Sequence, residues 1–314
     1  MTATQTTTPT RLCECGCRTP TTRRFARGHD VRMKAELKRR WREERDWSAL
    51  TELRTRGWLD KVKELRRFGI EIEFLVPSLS SIDRLAQEMA DRGLRCEVQG
   101  YNHNDVDHWK VTTDSSVGGT GSTQGWVGRE LVSPPLSSKE GRRQVELACQ
   151  ALAAVGARVN RTCGLHVHHD ARHLSEATIL RLAAMTVDLG DALDELVAAS
   201  RRRAAWNTYC TRFDANDLSA LQGLGLRGFA QHASRYKTLN LSAFLRHGTV
   251  EFRQHQGTVE AEKVLAWVDL GQALIRAASR GDRVDGVALG DLLEWSPTQQ
   301  AWWGARRQAL AAAA

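Results

Sequence analysis

From Phe68 onward the chain alternates apolar and polar side chains in short runs, the signature of half-buried strands. Phe68-Gly-Ile-Glu-Ile-Glu-Phe74 places Ile70, Ile72 and Phe74 on one side, Glu71 and Glu73 on the other. In Cys163–His169, Leu165 and Val167 oppose His166 and His168. In Tyr236–Ser242, Leu239 and Leu241 oppose Thr238, Asn240 and Ser242. In Gly248–His255, Val250 and Phe252 oppose Thr249, Glu251, Arg253 and His255. A fifth run carries Glu130 and ends at Pro134 and Pro135. Strands are predicted at 68–76, 94–99, 108–113, 127–133, 158–169, 236–244 and 248–256, and helices at 81–92, 139–155, 174–200 and 259–279. That mixture is α+β, with antiparallel strands and flanking helices. The glycine-rich stretch Val117–Gly125 matches neither GxxxxGK(S/T) nor GxGxxG and reads as a mobile loop.

One polar strand face is ordinary, because half-exposed antiparallel strands show water their polar side. Five such faces dominated by Glu, His, Asn and Arg are different from a solvent face of Lys, Thr and Gln. Glu71 and Glu73 side by side repel unless a cation lies between them. Carboxylates with a minority of imidazoles suit magnesium or manganese better than zinc. The planar fork of Arg253 beside Glu251 suits a phosphate or carboxylate. Metals plus a fixed guanidinium describe chemistry at phosphate, where catalysis is positioning and charge neutralisation.

Composition adds little for the region after Phe68 and much for the region before it. The net charge is +8, yet residues 1–67 hold 18 Lys and Arg against 9 Asp and Glu, while the remaining residues hold 27 against 28. Residues 1–11 form a Thr-rich leader expected to be disordered. From Val31 to Arg67 the chain reads as a charged helix with an intermittent apolar stripe. Such an arm suits nucleic acid or another acidic partner, against the plainer reading of a solvated face. Cys13, Cys15 and Cys17 followed by His29 offer four zinc-type ligands, a candidate structural zinc knuckle; free thiols are the alternative. The other four of the seven cysteines are scattered, and Cys163 reads as a small apolar core residue. No apolar run approaches the roughly 20 residues of a membrane span. The start has no secretory pattern, so a cytoplasmic protein without a membrane partner is expected. Three tryptophans after Glu294 mark a C-terminal docking helix and leave oligomeric state open. The boundaries that follow are 1–30 for leader and knuckle, 31–67 for the basic arm, 68–280 for the catalytic domain and 281–314 for the helical tail.

Six motifs occur in order: GIEIEF at 69–74, WKVTTD at 109–114 followed by SSV, ELVSPPL at 130–136, CGLHVHH at 163–169, KTLNLSAF at 237–244 and GTVEFRQHQGT at 248–258. Together they resemble the amidoligase family, a branch of the glutamine synthetase and glutamate–cysteine ligase superfamily, over residues 66–280. The N-terminal cluster resembles small modules of phage and actinobacterial proteins. The family resemblance implies a curved, funnel-like antiparallel sheet of glutamine synthetase type holding ATP and two or three magnesium ions. It implies a carboxylate–amine ligase that forms an amide, peptide-like or isopeptide-like, through an acyl phosphate made with ATP. By that resemblance Glu71, Glu73, Glu130, His166 and Glu251 are metal ligands, with His168 a further ligand or an ATP contact. Arg253 holds the transferring phosphate, Asn240 and Lys237 contact nucleotide or phosphate, and Asp114 orients or deprotonates the amine. The substrates, a small-molecule or peptide carboxylate and amine, are not specified. Two other readings stand beside it: a metal-dependent hydrolase using His166, His168 and His169, and a nucleic-acid-binding protein acting through its knuckle and basic arm.

Overall fold

The computed structural model describes residues 11–43, 52, 56, 67–100, 106–202, 208–282, 284 and 288–312. Most of the expected leader, nearly all of the expected helix beyond residue 43 and the end of the alanine tail lie outside the described residues. The chain divides into two compact units, Met1–Glu64 and Leu65–Ala314. In the first, a two-residue antiparallel ribbon of β1 (Arg11–Leu12) and β2 (Pro20–Thr21) precedes helix α1 (His29–Glu43).

The second unit is a mixed α+β structure around one seven-stranded sheet. Its strands are β3 (Phe68–Val76), β4 (Cys96–Val98), β5 (Trp109–Thr112), β6 (Val127–Val132), β7 (Gly164–Asp170), β8 (Leu239–Asn240) and β9 (Thr249–Gln256). They lie in the order β4-β5-β6-β3-β7-β9-β8, antiparallel throughout except for the parallel pair β4–β5 at one edge. The longest strand, β3, is thus interior, with β6 on one side and β7 on the other. Alternation divides the faces. Ile70, Ile72, Phe74, Val111, Leu131, Leu165, Val167 and Val250 are almost fully buried and form the apolar side.

The helices are α2 (Ser80–Asp91), α3 (Ser138–Ala154), α4 (Glu176–Asp188), α5 (Gly190–Asp194), α6 (Ala215–His232), α7 (Ala243–His247), α8 (Ala261–Arg280), α9 (Leu289–Leu292) and α10 (Pro297–Ala312). Helix α8 lies against β7 and contacts both α3 and α4, so its buried stripe from Val264 to Ala278 covers the apolar side of the sheet. Gly271 allows that approach. A Cβ there would fall 2.4 Å from His169 Nε2.

Several expectations need correction. The helix read over 174–200 is broken into α4, α5 and a 3₁₀ turn at Ala199–Arg201. Helix α6 has no counterpart among the expected helices, because its glycines 223, 225 and 228 spoil the helical pattern; the structure accommodates them with a kink at Gly225. The expected strand 158–169 begins only at Gly164, and 236–244 shortens to two residues before turning into α7. The glycine-rich loop, expected to be mobile, is tied down: Asn160 Nδ2 donates to Gly118 O at 2.8 Å, to Thr120 Oγ1 at 3.2 Å and to Thr123 Oγ1 at 3.1 Å. The C-terminal tryptophans pack on each other, with Trp303 buried and its ring 5.5 Å from that of Trp295. Among the described residues no helix is long and apolar enough to cross a membrane.

Candidate active site

The register of the sheet builds the site. Across β3 and β7, Glu71 faces His166; across β3 and β6, Glu73 faces Glu130; across β7 and β9, His168 faces Glu251; across β9 and β8, Glu251 faces Asn240. Every one of these side chains stands on the face opposite the apolar core. Two carboxylates directly opposite each other, Glu73 and Glu130, are a pairing that sheets avoid unless a cation compensates it.

The donor atoms converge closely. His166 Nδ1 lies 3.0 Å from Glu71 Oε2, 3.8 Å from Glu251 Oε1 and 4.0 Å from Glu130 Oε1, while its Nε2 lies 3.4 Å from Glu73 Oε1. His168 Nε2 lies 3.3 Å from Glu71 Oε1 and 3.8 Å from Glu251 Oε1, with Thr249 Oγ1 on its Nδ1 at 2.9 Å. Three overlapping triads each bring their ligand atoms within 4.8 Å: Glu71–Glu130–His166, Glu71–His168–Glu251 and Glu73–Asp114–Glu130. An octahedral shell at magnesium's 2.0–2.1 Å bond length separates neighbouring donors by about 2.9 Å and opposite ones by about 4.1 Å. The observed spacings fall in or near that range, and the donor set, rich in hard carboxylate oxygens, fits magnesium or manganese.

Charge tells the same story. Four carboxylates, Glu71, Glu73, Glu130 and Glu251, interact with the guanidinium of Arg253, and Asp114 stands beside Glu73 and Glu130. Burial, then repulsion from Glu71, Glu73 and Asp114, pushes the Glu130 carboxyl well above the usual carboxylate range. Burial also disfavours charge on Glu71, but hydrogen bonds from His166 and His168 outweigh it and hold that carboxyl well below its usual range. For His168 burial is again opposed and overcome, here by Glu251 and Glu71, which raise it to about 9. Arg253 Nη1 donates to Glu251 Oε1 at 2.7 Å and lies 3.3 Å from His166 Nδ1. Its Nε is buried without a hydrogen-bond partner among the described residues, a donor still to be satisfied.

Local structure explains how these groups are held. Gly164 N donates to Glu73 Oε2 at 2.5 Å, and a Cβ on Gly164 would fall 2.9 Å from His166 Nε2. Asn240 Nδ2 donates to Glu251 Oε2 at 2.5 Å, while Asn240 Oδ1 accepts from Ser242 N and Oγ at 2.9 and 2.6 Å. Asn240 therefore lines the cleft, but its amide is engaged in orienting Glu251. Asp114 accepts from Ser116 N and Oγ at 2.7 and 2.6 Å and joins the triad with Glu73 and Glu130, so it sits among the ligands. Lys237 is not brought here. It pairs with Asp217 at 2.8 Å and donates to Arg212 O at 3.4 Å, and it lines neither cavity over the cluster.

Two histidines also part from the cluster. His169 is fully buried on the core side, edge-on to Phe252 at 5.7 Å. His255, expected beside Arg253, is moved to the core side by an irregularity in the β7–β9 pairing. Val167 pairs with Phe252 but Leu165 pairs with His255, so β9 carries one extra residue. His255 then packs against Trp267 of α8 at 5.2 Å, and burial drives it down to about 3. Cys163 is fully buried and its thiol is pushed up to about 11, chiefly by burial.

A cleft of about 1010 Å³ opens over the cluster and is lined by Glu71, Glu130, His166, His168, Glu251 and Arg253 on its floor. Arg129, Arg235 and Arg246 stand on its walls, with Tyr209 and Tyr236 meeting edge to face at 5.4 Å. A smaller pocket of about 200 Å³ shares Glu71, Glu130 and His168 and adds Arg67, Lys110 and Arg172. Lys110 was not singled out from the sequence, although Trp109-Lys-Val-Thr112 places it in the same polar phase as the acids. Arg201, also missed, is buried beneath the site and donates to Cys163 O just before Gly164. In the sequence it is one of three consecutive arginines and looks solvated.

A family model described as "Putative amidoligase enzyme" matches residues 64–275. The chain belongs to this amidoligase family. The match covers all of the strands from β3 to β9 and therefore every residue of the acidic cluster. The description names a ligase-type enzyme. The amidoligase region ends inside α8 and excludes the N-terminal ribbon and α1. No curated protein matches the chain.

Proposed function

We propose that the protein is an ATP- and magnesium-dependent ligase that joins a carboxylate to an amine through an acyl phosphate. The observation that carries this reading is the set of three overlapping acid-rich triads around Arg253 on one face of the sheet. Glu71, Glu73, Glu130, His166, His168 and Glu251 would hold two or more magnesium ions. Bound there, magnesium would screen the phosphates and offset the charge that develops as phosphate is transferred.

The chain's own groups divide the remaining work. Arg253, fixed by Glu251 and with Nε unspent, is placed to hold the transferring phosphoryl group. Asn240 keeps the Glu251 carboxylate in one orientation, and Gly164 N–H does the same for Glu73. Arg129, Arg235 and Arg246 suit the triphosphate in the larger cleft, whose Tyr209 and Tyr236 offer an aromatic wall for a base. Arg67, Lys110 and Arg172 in the smaller pocket suit the carboxylate that is to be activated. Asp114, with a carboxylate oxygen within 4.8 Å of Glu73 and Glu130, would accept the proton of the attacking amine.

The geometry weighs against the hydrolase reading, because His169 faces the core and leaves no three-histidine set with His166 and His168. The decisive assay supplies ATP and magnesium with panels of carboxylates and amines and measures phosphate. Phosphate release that requires both substrates supports the ligase; hydrolysis of amides without ATP overturns it.

A further inference from the structure

The first unit contains a second convergence of ligand atoms that the ligase chemistry does not use. Cys13 Sγ and Cys15 Sγ are 3.3 Å apart. Around His29 Nδ1, Cys17 Sγ lies at 3.2 Å, Cys15 Sγ at 3.4 Å and Cys13 Sγ at 3.7 Å. All four atoms lie within 4.8 Å of one another. Zinc bond lengths of about 2.3 Å to sulfur and about 2.05 Å to nitrogen give tetrahedral edges of about 3.8 Å between sulfurs and about 3.6 Å between sulfur and nitrogen. The observed spacings lie within about 0.5 Å of these edges.

We propose that Cys13, Cys15, Cys17 and His29 bind one zinc ion in a closed, structural Cys₃His site. Several features of the same segment support it. Ala26 N donates to Cys13 Sγ at 3.3 Å and Thr19 Oγ1 lies 3.2 Å from Cys17 Sγ, contacts that suit thiolate sulfur. Three thiolates and a neutral imidazole leave a zinc site with one negative charge, and Arg18, Arg23, Arg24 and Arg27 surround it in sequence. Cys13 and Leu37 are the buried apolar side chains among the described residues of this unit, too few to fix a fold. Such a segment gains its order from the metal. Three cysteines cannot all pair as disulfides, whereas one metal engages every one of them. Four filled positions also leave none open for substrate, which makes the site structural rather than catalytic. A two-iron cluster would spread its ligands over two metal centres, which the short spacings here disfavour.

The test uses the full chain purified with zinc in the medium and dialysed against metal-free buffer. One zinc per chain is expected, released as a mercurial titrates thiols, and cobalt substitution should give thiolate-to-metal charge-transfer absorption. Cys15→Ser should lose the metal and the absorption, while His29→Cys, which supplies a fourth sulfur, should keep zinc. Both variants should retain the thermal transition of the sheet domain, so metal loss is not mistaken for global misfolding. Wild-type protein without zinc, a Cys13–Cys15 disulfide in freshly reduced preparations, or zinc that survives Cys15→Ser unchanged would each overturn the proposal.

Discussion

The core-side placement of His255 has a consequence for stability that can be worked out in numbers. Its Nδ1 lies 2.6 Å from Gln256 O, and its Nε2 lies 3.2 Å from Gln256 Nε2. A neutral ring satisfies both contacts, donating from Nδ1 and accepting at Nε2, whereas a protonated ring would turn Nε2 towards another donor. Burial lowers the group from 6.5 to about 3 in the folded protein. Because the folded value is depressed, the unfolded chain takes up a proton below pH 6.5 that the folded chain refuses. The contribution is therefore complete above pH 6.5 and is lost as pH falls towards 3, at about 1.4 kcal/mol per unit. Between pH 7 and pH 5 the loss is roughly 2 kcal/mol. His255→Asn keeps a donor for Gln256 O but removes the titration. Urea unfolding followed by tryptophan fluorescence, at several pH values from 7.5 to 5, gives both stabilities. Wild type should be the more stable at pH 7.5 because the smaller side chain leaves a gap against Trp267, and its advantage should shrink by roughly 2 kcal/mol by pH 5. Acid sensitivity of the carboxylate cluster is common to both proteins and cancels in the difference. A difference that stays constant within about 0.5 kcal/mol would mean that His255 titrates normally. The shifted register of β9 would then be wrong.

Other outcomes follow from the same geometry. Gly164→Ala places a methyl 2.9 Å from His166 Nε2 and should lower turnover about a hundredfold with little change in melting temperature. Asn240→Ala releases Glu251 and should weaken magnesium affinity 10- to 100-fold, read by titrating the metal into the nucleotide-bound protein. His169→Asn should lower the melting temperature while leaving activity per folded molecule near wild type, whereas His166→Asn should abolish activity in a folded protein. Lys237→Met should cost stability through the lost pair with Asp217 and leave nucleotide affinity unchanged, measured by equilibrium binding.

Period-two alternation made most of the polar face legible, because a side chain's face in a regular strand is fixed by parity. Glu71, Glu73, Glu130, His166, His168, Asn240, Glu251 and Arg253 all lie on the face that alternation assigns to them. Parity fails where the strand is irregular: one extra residue in β9 carries His255 to the core, and nothing in Gly248–His255 announces it. Lys237 precedes β8, and its partners Asp217 and Arg212 O come from distant parts of the chain that the motif KTLNLSAF does not reveal. Helix α6 escaped because three glycines erase its periodicity, while packing against α4 and α7 stabilises it regardless. Arg201 carries no local signal at all, as its role depends on a long-range bond to the turn before β7. The parallel edge strand β4 likewise depends on chain path rather than pattern.

Nucleotide is expected to bind the acidic face only through magnesium. Calorimetric titration of a non-hydrolysable ATP analogue into wild type and Glu73→Gln, with magnesium and then with chelator, tests it directly. Saturable binding that needs magnesium and is lost in a Glu73→Gln protein of unchanged melting temperature is the expected result. Binding that is equally tight in chelator, or no binding by well-folded wild type, would contradict it.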